Sequence, residues 1–170
     1  MELFQVVEAG EGIERAILRT LAVRGGGMER HVTPSHPSLL VVSPGAAARH
    51  LELPGACRTV LLPGDAGDLL GSLRAASAVS YGASPRDSLT ISSREGGRLW
   101  AALQRELVTV GGQVVERQEF PLTLAPGTKE LPALAAAGAL LLLGVPPEDL
   151  GAPAGRNGGP DTGENGFFPA

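Results

Sequence analysis

The sequence predicts an α/β fold: a small, mostly parallel sheet flanked by helices, extended by an antiparallel β-hairpin region and closed by a C-terminal helix. Three observations lead there. Short continuous apolar runs alternate with helix-like segments through the first half of the chain, and strands of that kind are covered on both faces, as in parallel sheets. From about residue 88 the pattern changes to longer segments separated by glycine pairs, the mark of antiparallel hairpins. A run of Ala and Leu then fills residues 131–143, apolar nearly all round, which marks a buried helix.

The elements follow in order. Leu3–Glu8 is a short apolar run that ends in Ala9-Gly10-Glu11-Gly12. Ile13, Ile17, Leu18 and Leu21 then recur at helical spacing, and Arg24-Gly25-Gly26-Gly27 stops that helix. Residues 28–37 carry two prolines and read as a loop. Leu39–Val42 is a buried strand, Pro44–His50 a short helix and Thr59–Leu62 a second buried strand. Asp65–Ala75 reads as a helix with Leu69, Leu70 and Leu73 inward, and Ala78–Tyr81 as a third strand. Ser88–Ser93, Leu99–Glu106 and Gln113–Leu124 read as antiparallel strands, with Gly96-Gly97 and Gly111-Gly112 at the turns; Leu99–Leu107 also suits a helix. The 131–143 helix is capped by Gly144 and stopped by Pro146-Pro147. Residues 1–150 thus form one α/β domain, and Gly/Pro-rich residues 151–170 a tail.

Composition narrows the function classes. The chain has 170 residues, 43% hydrophobic and only 4% aromatic, so Leu, Val, Ala and Ile must build the core. A net charge of −4 argues against a nucleic-acid or anionic-membrane surface, which needs a basic stripe. Thirteen Arg against the single Lys129 reflects codon usage more than chemistry. With one cysteine, neither an internal disulfide nor a cysteine zinc cage can form. No apolar stretch reaches the length of a membrane span and no basic leader precedes one, so the expected location is the cytoplasm.

Few motifs carry chemistry. Gly10-Glu11-Gly12 lacks the third glycine of a dinucleotide fingerprint, since Arg15 stands there, and reads as a tight turn. Gly64-Asp65-Ala66-Gly67 lies between a strand and the expected helix, where free N–H groups could hold an anion, yet Asp65 and Asp68 suit the role of helix caps. His31 and His36, five apart in one loop, could chelate a metal with Glu29 or Glu52, but without a carboxylate at helical spacing they read, with His50, as solvated loop histidines. Cys57, beside Arg58, reads as a buried thiol, and Ser80, Ser84, Ser92 and Ser93 lack a recognisable base. Period two puts Glu116 and Gln118 on one strand face and Glu119 on the other, so these carboxylates do not pair for acid–base work. No catalytic residue, metal ligand or cofactor follows from these patterns.

Two segments resemble the ATP-dependent Mur ligases, which add amino acids to peptidoglycan precursors. Val79-Ser80-Tyr81-Gly82-Ala83-Ser84-Pro85-Arg86-Asp87 through Ser93 is similar to the family's strand, Tyr-Gly turn and following strand. Ala133-Leu134-Ala135-Ala136-Ala137-Gly138 through Gly144-Val145-Pro146-Pro147 and Leu150 is similar to the helix and Gly-Val-Pro turn that close the family's central domain. Val41–Ser43 falls where that family has a strand ending in an Asn-Asp turn, so the resemblance covers residues 38–150. It implies a central-domain α/β fold. The family's Gly-Lys-Thr phosphate loop, magnesium-binding Glu and carbamylated lysine are missing, and its nucleotide-holding His-Asn and Asn fall at Thr128, Lys129 and Pro132. The resemblance therefore implies a cut-down domain without the machinery of phosphoryl transfer.

Two functional expectations follow. The first is a non-catalytic Mur-ligase-like binding or scaffolding protein, forming a homo-oligomer or meeting a protein partner through an exposed sheet edge or apolar face. The second is a binder of, or enzyme acting on, a small molecule such as a nucleotide or cell-wall precursor, with its pocket at the carboxyl ends of the parallel strands. Candidate ligand-binding residues there are Gly64, Asp65, Tyr81, Ser84, Arg86 and Asp87: Tyr81 to stack on a ring, Arg86 to pair an anion, Asp87 to accept from hydroxyls. Phe167-Phe168 in the tail is a further candidate docking peptide.

Overall fold

A computed structural model describes residues 4–24, 36–95, 98–124 and 127–151. In chain order the elements are β1 (Phe4–Val7), α1 (Ile13–Val23), β2 (Leu39–Val42), α2 (Pro44–Ala48), β3 (Ala56–Pro63), β4 (Arg74–Gly82), β5 (Leu89–Glu95), β6 (Arg98–Leu103), β7 (Leu107–Val108), β8 (Val114–Val115), β9 (Gln118–Thr123) and α3 (Glu130–Leu142). Seven strands make one sheet in the order β1-β2-β3-β4-β5-β6-β9, while β7 and β8 form a separate two-stranded ribbon. Pairing is parallel from β1 to β5 and antiparallel from β5 to β9, so the α/β architecture with an antiparallel extension and a closing helix is present.

Alternation along each strand divides the side chains between two cores. Leu39, Val41, Leu61, Val79 and Tyr81 face α1 and α3, joined there by Leu89, Leu99, Ala101, Leu103, Phe120 and Leu122 from the antiparallel end. Leu40, Val42, Val60 and Leu62 face the other way, under Ala46 of α2 and Leu73, with Leu53 and Leu69 at the margin. The continuous apolar runs of β2 and β3 are thus strands covered twice.

Helix α3 explains why its sequence shows no polar face. Ten of its residues are buried, and Gly138 lets it lie against Leu61 and Leu89, where a Cβ would come within 3.0 Å of a Leu61 methyl. Its end is a Schellman turn: Gly144 takes φ +98°, its N–H donates to Leu141 O at 3.0 Å, and the Val145 N–H donates to Leu140 O at 2.9 Å. Pro147–Asp149 then forms a 3-10 turn beside β9.

Several expectations need correction. The Asp65–Ala75 helix is absent: Gly67–Gly71 makes a single 3-10 turn, and β4 begins at Arg74. Leu73 is buried there, whereas Leu70 is 39% exposed. Glycines at 67 and 71 each cost a helix about 1 kcal/mol, enough to undo a pattern resting on three leucines. Leu99–Leu103 is the strand first read there, and only the helix alternative for Leu99–Leu107 falls. Gln113–Leu124 is split, with β8 ending at Val115 and β9 starting at Gln118. The Gly111-Gly112 turn, with Gly112 at φ +86°, joins the short β7 and β8 instead of two long strands. Glu95 lies opposite Arg98 across β5 and β6. Gly96-Gly97, Gly25–Gly27, most of the 28–37 loop and the tail from residue 152 lie outside the described residues.

The β4–β5 join positions the candidate site. Parallel neighbours usually need a crossover of a dozen or more residues. Here six residues suffice, because only Tyr81 and Gly82 at the tip of β4 pair with Leu89 and Thr90 at the start of β5. The 83–88 loop therefore folds back over the carboxyl ends of β3 and β4.

Candidate functional site

The six sequence candidates gather at that fold-back, in two groups. Asp87 is buried at the centre of the first. Its carboxylate accepts from the Ser84 N–H at 3.1 Å while its own N–H donates to the Ser84 carbonyl at 3.0 Å, so the two residues close the loop reciprocally. The same carboxylate lies against the backbones at Gly64 and Gly82: a Cβ on either would fall inside its contact radius. These two glycines are there for close approach, which only the missing side chain permits. Gly64 also donates its N–H to Tyr81 O at 2.9 Å, tying β3 to β4.

Tyr81 is fully buried, and its hydroxyl donates to the Val42 carbonyl at 2.6 Å. Burial, and then the charges of Glu11 and Asp65, push its phenol far above the ordinary range, so it stays a proton donor. A buried ring offers a ligand no face to stack on; its place is in the core, bridging β4 to β2. Ser84 uses its hydroxyl to accept from the Arg86 N–H at 3.2 Å. Asp65 and Arg86 are exposed, and the Arg86 carbonyl accepts from Arg105 at 2.9 Å. Asp65 caps no helix: the 3-10 turn starts after Ala66 without a side-chain cap.

Sequence reasoning missed the second feature of this end of the sheet. Glu11, in the turn after β1, places its carboxylate at the end of β2, where it accepts from the Ser43 hydroxyl, the Ala9 N–H at 3.0 Å and the Gly45 N–H at 3.0 Å. Ser43 in turn caps α2, accepting from the Ala46 N–H at 2.9 Å. Partial burial disfavours the charged form, but the Ser43 hydroxyl, the two backbone donors and nearby Arg49 outweigh it and hold the Glu11 carboxyl below its usual range. Glu8 does a parallel job for α1, accepting from the N–H groups of Gly12 and Glu14 at 2.8 Å each. Gly10 and Gly12, at φ +76° and +79°, make the tight turn between them. The only signal in the sequence is that Gly10-Glu11-Gly12 puts an acid where the backbone is free to turn.

Beside Glu11 opens a cleft of about 700 Å3, walled by Pro44, Gly45 and Arg49 on one side and by Thr128–Pro132 at the start of α3 on the other. Arg49 and Lys129 bring cations to it, Glu11 and Glu130 carboxylates. Arg94 forms an ion pair with Glu130 and holds that carboxyl below its ordinary range, chiefly by hydrogen bonding. A smaller groove of about 370 Å3 lies on the opposite sheet face, between Ala83 and Pro85 of the fold-back loop and Thr90, Ser92, Gln104 and Glu119 of the antiparallel strands.

The remaining candidates are dispersed. His36 and His50 are exposed, and His31 lies outside the described residues. Among the described residues no three His, Cys, Asp or Glu side chains gather to hold a metal ion. Cys57 is buried within β3, and burial raises its thiol above the ordinary range. The Ser80 hydroxyl accepts from the Ser88 N–H at 3.1 Å, a structural use. Glu116 lies between β8 and β9, its carbonyl accepting from Gln118, while Gln118 and Glu119 are exposed on the edge strand. Among the described residues no helix is long and apolar enough to cross a membrane.

Fold and site together define a class: an open, mostly parallel α/β sheet that places its own Glu11 and Asp87 carboxylates at the carboxyl ends of the parallel strands, with an open cleft beside Glu11. Compared with known proteins, the chain matches no family model and no curated protein.

Proposed function

We propose that this chain is a non-catalytic binding or scaffolding domain, Mur-ligase-like in its framework, cytoplasmic and self-associating. The observation that carries the reading is the occupation of both carboxyl-end crevices from within. In open α/β sheets a ligand enters where the strand ends leave room and N–H groups free. Here the Asp87 carboxylate sits between Gly64 and Gly82, and the Glu11 carboxylate takes the donors of Ser43 and Gly45. A phosphate brought to either place meets a resident negative charge and spent donors. The Gly-Lys-Thr phosphate loop is missing, and among the described residues no three His, Cys, Asp or Glu side chains gather to hold a metal ion, so phosphoryl transfer lacks its usual means of positioning and charge stabilisation. The reading assigns no catalytic residue, cofactor or metal, and the acidic chain is assigned no nucleic-acid or membrane surface.

One observation favours a second reading, a binder of or enzyme acting on a nucleotide or cell-wall precursor: the 700 Å3 cleft with Arg49 and Lys129 on its walls. A thermal-shift screen with ATP–Mg²⁺, ADP, UDP, UDP-sugars and amino acids at ~1 mM separates the two. A ligand at 100 times its dissociation constant stabilises by about 2.7 kcal/mol, several degrees for a domain of this size. The scaffold reading expects no shift; a shift with any nucleotide replaces it with the second.

A further inference from the structure

We propose that the sheet face beyond β4, on the side away from α1 and α3, is a docking groove for the chain's own Phe167-Phe168, carried there from Gly151. Alternation fixes which side chains make this face. Phe120 and Leu122 of β9 enter the main core, so Glu119, Pro121 and Thr123 are directed to the other side. Trp100 and Ala102 of β6 stand opposite Pro121 and Glu119, and Thr90 of β5 stands opposite Ala102. Among the described residues no helix lies over this row.

The groove of about 370 Å3 is set into the same face. Thr90 and Ala102 give it a floor of two small side chains side by side. Ala83 and Pro85 of the fold-back loop wall one side, and Gln118 and Glu119 of the edge strand the other. A small, partly apolar floor with polar groups at the rim suits the flat face of an aromatic ring.

The course of the chain names the occupant. After α3, Val145 and Leu150 still pack on the main core. Gly151 has passed beyond the edge strand: its carbonyl accepts from the Thr123 hydroxyl at 3.0 Å, and a Cβ on it would stand 2.9 Å from the Pro121 ring. Both of those side chains belong to the groove's face, so the chain that follows is delivered to that face and not to the α3 side. Residues 152–170 hold two of the chain's four Phe, adjacent at 167 and 168, and no Leu, Ile, Val, Met, Trp or Tyr. Fifteen residues separate Gly151 from Phe167, a reach of at most about 50 Å. The groove spans only β9, β6 and β5, neighbours that stand ~4.8 Å apart. A tether of this kind supplies an effective concentration in the ~mM range, an advantage that neither a second copy nor an outside partner brings. A partner that uses this face must first displace the two rings.

NMR on the labelled full chain tests this. Ring protons of Phe167 and Phe168 should give NOEs to the methyl groups of Thr90 and Ala102. Replacing both rings, by Phe167→Ser and Phe168→Ser together, should shift the amides of Thr90, Ala102 and Glu119. The amides of Leu61 and Leu142 in the main core should stay in place, which shows that the variant is folded. Rings whose NOEs go elsewhere, or a folded variant that keeps wild-type shifts at Thr90, Ala102 and Glu119, overturn the proposal. The same NOEs seen only between differently labelled copies in a mixed sample also overturn it and give the groove to a second copy. Should the variant not fold, the NOEs of the wild type decide.

Discussion

Leu61 and Leu62 are neighbours on β3, yet they end in different cores, and those cores are not equals. Leu61 faces α1 and α3 in a cluster that runs from Phe4 on β1 to Leu122 on β9. Leu62 faces a smaller cluster confined to β2, β3 and their surroundings, roofed by the five residues of α2, Leu53, Leu69 and Leu73. Beyond β4 that second face carries Thr90, Ser92 and Glu119, and among the described residues no helix lies over them. One face holds the fold together; the other is only partly roofed and leaves surface free for other uses.

The largest expected effect tests that inequality directly. Leu61→Ala should cost about 3–5 kcal/mol in denaturant unfolding, because rigid neighbours on α3 and β5 cannot collapse into the space. Leu62→Ala should cost about 2 kcal/mol, since a short helix and a turn can settle inward. Equal losses would mean the two cores are equally rigid, and the comparison would fail.

The site residues come next. Gly64→Ala drives a methyl into the buried Asp87 carboxylate, and an over-packed contact of this kind costs about 1–3 kcal/mol. If calorimetry shows no change, Asp87 is free to move and the crevice is open. Tyr81→Phe removes one buried hydrogen bond and should cost about 1 kcal/mol, with nucleotide response unchanged.

Glu11 adds a pH dependence. Its folded pKa lies below the ordinary 4.5, so its contribution is present at neutral pH and is lost as pH falls from that value through the lower folded one. Glu11→Gln should therefore lower stability near pH 7 and flatten the acid limb of the stability curve. A parallel acid limb in both proteins would assign the loss to other carboxylates. Least of all, Arg94→Ala should leave the denaturant midpoint essentially unchanged, as its pair with Glu130 is solvent-exposed.

Much of the fold was legible, and the failures have physical causes. Leu39–Val42 and the 131–143 run announce themselves because burial on both sides leaves no room for polar residues. β4 starts unannounced because Ala75-Ala76-Ser77-Ala78 has no β-branched or aromatic residue to mark a strand, while Leu69, Leu70 and Leu73 imitate a helix upstream. The candidate site was legible as a place more than as a chemistry. Tyr-Gly and Gly-Asp after apolar runs located the carboxyl ends of β3 and β4. That Asp87 turns in against Gly64 and Gly82, and Glu11 reaches the end of β2, depends on contacts between residues 23 and 34 positions apart, which no local pattern encodes.

The central claim is that these ends are closed to phosphate ligands by the chain's own carboxylates. Amide chemical shifts of Gly45, Gly64, Gly82, Ser84 and Lys129 in the ¹⁵N-labelled chain, followed through a titration with ATP–Mg²⁺ to ~5 mM, test it most directly. The account predicts no saturable shift at any of the five. A saturable shift at Gly64 or Gly82 would show that a ligand displaces Asp87, one at Gly45 or Lys129 that the cleft beside Glu11 takes a phosphate ligand, and any of them would contradict it.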